Sequence, residues 1–362
     1  MFAQKLKAVP IAVGLSSMAV LAWAFFAPAA VPTHDTPPRS VETVALPQLQ
    51  PAAAPKALPK GPNKLLFYRA GHLTLIDPDG KNEKAVSQDR GKFHPGDAKL
   101  SPDGKQLAIL IQEVSKPGEP PVRRLHVRAL EEKEPGTDLG VSCQLFAWSP
   151  DGTEIVCSDF VDRSPEEGPP EVTSFIVNVK SKEKTAVKLP ANHIVTDWSR
   201  DGKYFLTSAM QLGKDGPSSR LYMMNRDGTE HKALTDAKTV AMFGRLSADG
   251  RRVLFSTMIL PKEKDQAPKR ELAVLDIGTG KTTTVEELPL NGEVQAYCWS
   301  PDGKQIAYSW RELHEGKPED VQNKETESFL VVCDPDGKNA KTIATEKGMG
   351  QGAITIGHID WR

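Results

Sequence analysis

WSPDG occupies residues 148–152 and returns whole at residues 299–303. Variants read LSPDG at 100–104, WSRDG at 198–202 and LSADG at 246–250. Counting Trp361, the residues at the Trp position are Leu100, Trp148, Trp198, Leu246, Trp299 and Trp361, separated by 48, 50, 48, 53 and 62 residues. Periods of this size belong to solenoids, propellers or arrays.

The content of one period decides between them. In residues 143–189, CQLFAW is a short apolar run that ends in SPDG. TEIVCS then alternates polar and apolar residues, as a half-buried strand does. A polar stretch leads to SFIVNV, then a turn, then KTAVKL. Four short strands and no helical stretch make one blade of a β-propeller. The third strands of the other periods read RLHVRAL, RLYMMN, ELAVLD and FLVVCD.

The quoted motif is the hairpin between a blade's first two strands. Pro presets φ at the second turn position, Asp bonds nearby backbone N–H groups, and Gly supplies the positive φ that closes the turn. Arg200 and Ala248 replace Pro in two copies, whereas Asp and Gly stand in all five. The preceding Trp or Leu is expected to pack between blades.

The two ends of the chain complete the count. Residues 64–88 supply three strands, KLLFYRA, HLTLID and EKAVSQ, without a first strand or its turn. The last residues, ITIGHIDWR, supply a first strand and stop where the turn begins. The fold expected is therefore all-β: a six-bladed propeller of four-stranded antiparallel blades over residues 64–362. The C-terminal strand completes the N-terminal blade and removes the free sheet edges.

Residues 1–30 differ in kind. Lys5 and Lys7 precede a run with no charged residue before Asp35, and APA stands at 27–29. A basic head, an apolar body and small residues make a secretory signal peptide. The apolar body also approaches the ~20 residues that span a bilayer, which makes an uncleaved anchor formed by residues 8–30 the alternative. Either reading keeps the lysines inside and exports the rest. Residues 31–62 hold eight prolines and many alanines. Such a composition favours extended chain and suits a linker. The 46 basic and 47 acidic residues nearly cancel, which argues against a nucleic-acid partner.

The five [WL]S-x-DG hairpins, in register across residues 64–362, resemble the TolB-like propellers, a WD-repeat-like family. That resemblance implies a protein-interaction platform in the bacterial periplasm or cell envelope. The family's namesake carries an α/β domain before its propeller, where this sequence has the Pro/Ala linker. Related propellers precede the catalytic domain of prolyl-oligopeptidase-like hydrolases, whereas this sequence ends with the propeller. The expectation is an exported, monomeric, non-catalytic scaffold that binds a protein or envelope-linked partner. The alternatives are a sugar lyase or lactonase with its site at the channel mouth, and a membrane-tethered envelope sensor.

Long second-to-third-strand connections, at about 112–122, 159–172, 209–219, 258–270 and 310–327, share one face, where binding residues concentrate on rigid scaffolds. Phe160, Arg163, Trp310 and Arg311 are the candidate anchors there, because aromatic and Arg side chains dominate interfaces. Trp310 could equally cap its own blade. His94, His193 and His358 lie in stretches that link blades, near the expected channel mouth. Their offsets from the Trp position differ and no metal-ligand spacing occurs, so no metal or cofactor is expected. GTGKT at 278–282 lacks the first Gly of a phosphate loop, since Leu275 stands there, and no helix follows it. GMGQG at 348–352 also lacks a helix, and no G-x-S-x-G occurs. Cys143 and Cys157 fall nearly opposite on one hairpin and are expected as buried free thiols, with Cys298 and Cys333 unpaired.

Overall fold

The computed structural model describes residues 63–362, apart from residue 70 and segments 88–92, 114–121, 133–134, 162–170, 214–215, 237–238, 260–268, 290–291, 313–323 and 350–355. The expected leader and linker lie outside the described residues. No described helix is long and apolar enough to cross a membrane.

The described chain is built from 24 strands. Blade 1 takes β1 (Leu65–Arg69), β2 (His72–Ile76) and β3 (Lys84–Ala85). Blade 2 is β4 (Phe93–Leu100), β5 (Gln106–Glu113), β6 (Val122–Ala129) and β7 (Thr137–Asp138). Blade 3 is β8 (Leu145–Trp148), β9 (Glu154–Val161), β10 (Glu171–Asn178) and β11 (Lys184–Ala186). Blade 4 is β12 (His193–Trp198), β13 (Tyr204–Gly213), β14 (Gly216–Asn225) and β15 (Lys232–Ala233). Blade 5 is β16 (Val240–Leu246), β17 (Arg252–Ile259), β18 (Lys269–Asp276) and β19 (Thr282–Glu287). Blade 6 is β20 (Gly292–Trp299), β21 (Ile306–Glu312), β22 (Glu325–Cys333) and β23 (Lys341–Met349).

β24 (Ile356–Trp361) joins blade 1. It pairs antiparallel with β1 in the register Leu65↔Trp361 and Arg69↔Ile356. Lys64 N–H donates to Arg362 O at 2.8 Å and Arg362 N–H returns to Lys64 O at 3.2 Å. Within each blade neighbouring strands are antiparallel. One parallel pair, Ser219↔Val240, links blade 4 to blade 5.

The SPDG turns form because one local network repeats five times. The Ser hydroxyl donates to the Asp carboxylate at 2.6–2.7 Å in every copy, from Ser101–Asp103 to Ser300–Asp302. The same hydroxyl oxygen accepts the N–H that opens the next strand, at 2.8–3.0 Å. The Asp oxygen accepts the N–H of the residue after Gly at 3.0–3.1 Å. None of this needs the Pro, which is why Arg200 and Ala248 are accommodated.

An apolar cluster fills each of the six blade-to-blade interfaces. β1 shows how. Leu65 and Phe67 pack with Leu330, Val332 and Trp361 on the blade 6 side, while Leu66 packs with Leu100 and Leu107 on the blade 2 side. Successive side chains point to opposite faces, and both faces are covered, so the strand reads as a continuous apolar run. Burying each such Leu or Phe contributes about 1.5–3 kcal/mol.

One connection differs from its sequence reading. Residues 209–219 were expected as a long loop, but β13 and β14 stay paired out to Gly213↔Gly216. Beyond Ala209, where pairing with β12 ends, β14 alone continues the ladder and carries a polar sequence past the apolar run.

Candidate functional site

The innermost strand of every blade runs into its SPDG turn or, for β24, into Arg362. Their ends surround a cavity of ≈ 670 Å³ on the face that carries these turns. Asn63 also lines it, so the chain enters the propeller at this mouth. Five innermost strands shift register partway along their pairing, and such bulges bend a strand and re-aim its side chains.

The residues one before the Trp position line the cavity in the order Asp360, Lys99, Ala147, Asp197, Arg245 and Cys298. With the residue that follows, the blades read DW, KL, AW, then DW, RL, CW. The same three-blade pattern occurs twice. The hydrogen bonds follow it. Asp360 Oδ2 accepts the N–H of Leu100 in blade 2 at 2.8 Å, and Asp197 Oδ2 accepts the N–H of Leu246 in blade 5 at 2.8 Å. Trp148 Nε1–H donates to Lys99 O at 3.1 Å, and Trp299 Nε1–H donates to Arg245 O at 2.9 Å. The two cations break the pattern: the Lys99 ammonium donates forward to Phe146 O in blade 3, whereas the Arg245 guanidinium donates back to Thr196 O in blade 4. The channel residues are thus the fasteners between blades.

The electrostatics are correspondingly tight. Burial and the charge of Arg245 push the Lys99 ammonium down to about 8, against the pull of Asp97, Asp197 and Asp360. Burial opposes ionisation of Asp97, but His358, Lys99 and Arg245 outweigh it and hold the carboxyl at about 2.

Two of the three candidate histidines are engaged with separate neighbours. His193 is buried, its Nδ1 3.1 Å from Thr207 Oγ1 and its ring 4.6 Å from that of Tyr222. Burial and the neighbouring His231 push it down to about 4, so it is neutral near pH 7. His358 Nδ1 lies 3.4 Å from Asp97 Oδ1, joining β24 to β4. Neither lines the cavity. The backbone of His94, in β4, pairs with Gln112 of β5, and its side chain lies outside the described residues. Among the described residues no three His, Cys, Asp or Glu side chains are placed to hold a metal ion.

On the opposite face, Trp310 is half-buried and stacks on Phe329 of the neighbouring strand, with centroids 4.6 Å apart and planes at 23°. Arg311 is buried and holds Glu293 Oε2 through Nη2 at 2.9 Å and Nε at 3.1 Å. Both side chains therefore serve blade 6. The backbone of Phe160 pairs with Val172, while its side chain and all of Arg163 lie outside the described residues. The long connections around them are largely outside as well.

All four cysteines are buried and free. Hydrogen bonding to Cys157, together with burial, pushes the Cys143 thiol up. Cys157 pairs in register with Phe146 rather than with Cys143.

No family model matches the chain. A Protein TolB homolog of Chlorobium luteolum is 26% identical over 181 residues, which cover 43% of this chain and 36% of that protein. Dipeptidyl-peptidase 5 of Porphyromonas endodontalis is 32% identical over 91 residues, 25% of this chain and 12% of that one. The chain thus aligns with little more than a third of the first relative's length and far less of the second's. Among solved structures, TolB from Acinetobacter baumannii superposes with a TM-score of 0.57 at 18% identity, covering 83% of this chain and 66% of its own. A putative TolB from Agrobacterium tumefaciens gives 0.53 at 16% identity, covering 83% and 98%. In fold, the chain is a TolB-like six-bladed β-propeller.

Proposed function

We propose that this propeller is an exported, non-catalytic scaffold that binds a protein or envelope-linked partner through the connections between second and third strands. The observation that carries this reading is the position of Asn63. The chain enters at the cavity mouth on the turn face, so a linker and any membrane anchor attach there. The face bearing the long connections lies opposite and is left clear of that attachment. Extra loop length costs little in stability on a rigid scaffold, and such loops are where recognition concentrates. The likeness to TolB proteins supports a platform role in the cell envelope. Phe160 and Arg163 are the anchors this reading favours, because Trp310 and Arg311 are engaged within blade 6.

The test is crosslinking capture from the native envelope, with the full chain compared with a variant whose residues 162–170, Arg163 among them, are replaced by a short Gly-Ser turn. A partner held by the wild type and lost by a variant of unchanged melting temperature supports the loop face. Equal capture by both proteins, or none by either, sinks the reading.

A further inference from the structure

Two of the departures from the turn pattern are arginines, and both lie at the cavity mouth. Arg200 stands where three other copies have Pro and one has Ala. Arg362 stands where the other five innermost strands continue into Ser. Both line the cavity. A guanidinium carries five N–H donors. Arg200 spends one on Pro301 O, at 3.0 Å, reaching from blade 4 to blade 6. Arg362 approaches Asp360 Oδ1 only to 3.6 Å, and its buried Nε–H has no partner. Burial and the charge of Arg362 lower Arg200 to about 10. Two like charges therefore share the mouth with most of their donors unspent.

The carboxylates of the same cavity answer them only through the 3.6 Å approach of Arg362 to Asp360. Asp197 accepts the N–H of Trp198 and of Leu246, one on each oxygen. Asp360 is turned to Leu100. Asp249 and Asp302 are held by the Ser hydroxyl and backbone N–H of their own turns. None of these four carboxylates accepts a hydrogen bond from either guanidinium, although with Lys99 and Arg245 included the charges lining the cavity balance.

We propose that the turn-face mouth of the channel is a binding site for the carboxylate or phosphate group of a small molecule, clasped between Arg200 and Arg362. The guanidinium fork matches either group with paired, charge-assisted hydrogen bonds. The bound oxyanion would take up the spare donors and relieve the repulsion between the two arginines. This site is separate from the partner surface on the opposite face.

The experiment titrates the full chain with citrate and, separately, with inorganic phosphate at constant ionic strength. Binding is read by calorimetry and by the fluorescence of Trp148, Trp198, Trp299 and Trp361, which line the same cavity. Saturable binding is expected, weakened about tenfold or more in Arg200→Ala and in Arg362→Ala, with both variants still unfolding in one cooperative transition above the titration temperature. Arg200→Gln is the backup where truncation harms folding. Citrate alone binding assigns a carboxylate ligand, and phosphate alone a phosphate ligand. The proposal is overturned if neither anion saturates the wild type, or if the arginine variants bind as tightly as it does.

Discussion

The Asp360 carboxylate accepts the backbone N–H of Leu100, 260 residues away in sequence, at 2.8 Å. It fastens the last strand of the chain to the second blade. Asp197 does the same for Leu246 on the opposite side of the channel. The Leu100 N–H that Asp360 satisfies is buried, and the Leu246 N–H that Asp197 satisfies is partly so. Asp360→Ala should therefore cost about 1–3 kcal/mol, and Asp360→Asn, which keeps an acceptor oxygen, clearly less. Urea denaturation of the two variants checks this, and equal losses would show that the acceptor is not what matters.

The outer rim has its own contact. Gly337 has φ +78°, and a Cβ there would lie 2.2 Å from Val285 O of the preceding blade. Gly250 has φ +68° but nothing within 4 Å of an added Cβ. Gly250→Ala pays only the left-handed backbone cost of about 1–2 kcal/mol. Gly337→Ala must in addition push blades 5 and 6 apart, and should lose at least about 2 kcal/mol more. Thermal melts of the pair separate backbone strain from collision.

Lys99 sets a pH dependence. Its ammonium titrates at about 8 in the folded protein, below the ordinary 10.5. Between these values the unfolded chain binds more protons than the folded one, so stability rises as the pH rises. The gain from this group should reach about 2 kcal/mol between pH 8 and pH 10. The difference in unfolding free energy between wild type and Lys99→Met, followed across that range, isolates it. A difference that stays flat contradicts the buried, charged lysine.

What the sequence disclosed follows the range of the forces involved. The SPDG turns are local, so their five copies were readable residue by residue, and the incomplete ends, Lys64 onward and up to Trp361, gave the blade count. The channel ring was written one residue before the tryptophans, as DW, KL and AW followed by DW, RL and CW, but it shows only when the blades are set side by side. Arg311 reads as a surface residue because its partner Glu293 lies on another strand. His193 reads as a channel residue because sequence offset does not reveal that its ring packs on Tyr222. The polar run around Gly213 carries no strand pattern, and the ladder to Gly216 alone extends it.

The central claim is that the two ends of the chain share blade 1, which makes residues 63–362 one clasped ring with opposed faces. Removing residues 356–362 deletes β24 and Arg362, exposes the edge of β1 and strips Trp361 from the cluster between blades 6 and 1. The most direct measurement is hydrogen exchange with thermal unfolding of this truncated protein. Lowered melting and lost protection of the Leu65–Arg69 amides are predicted. An unchanged melting temperature with those amides still protected would contradict the shared blade.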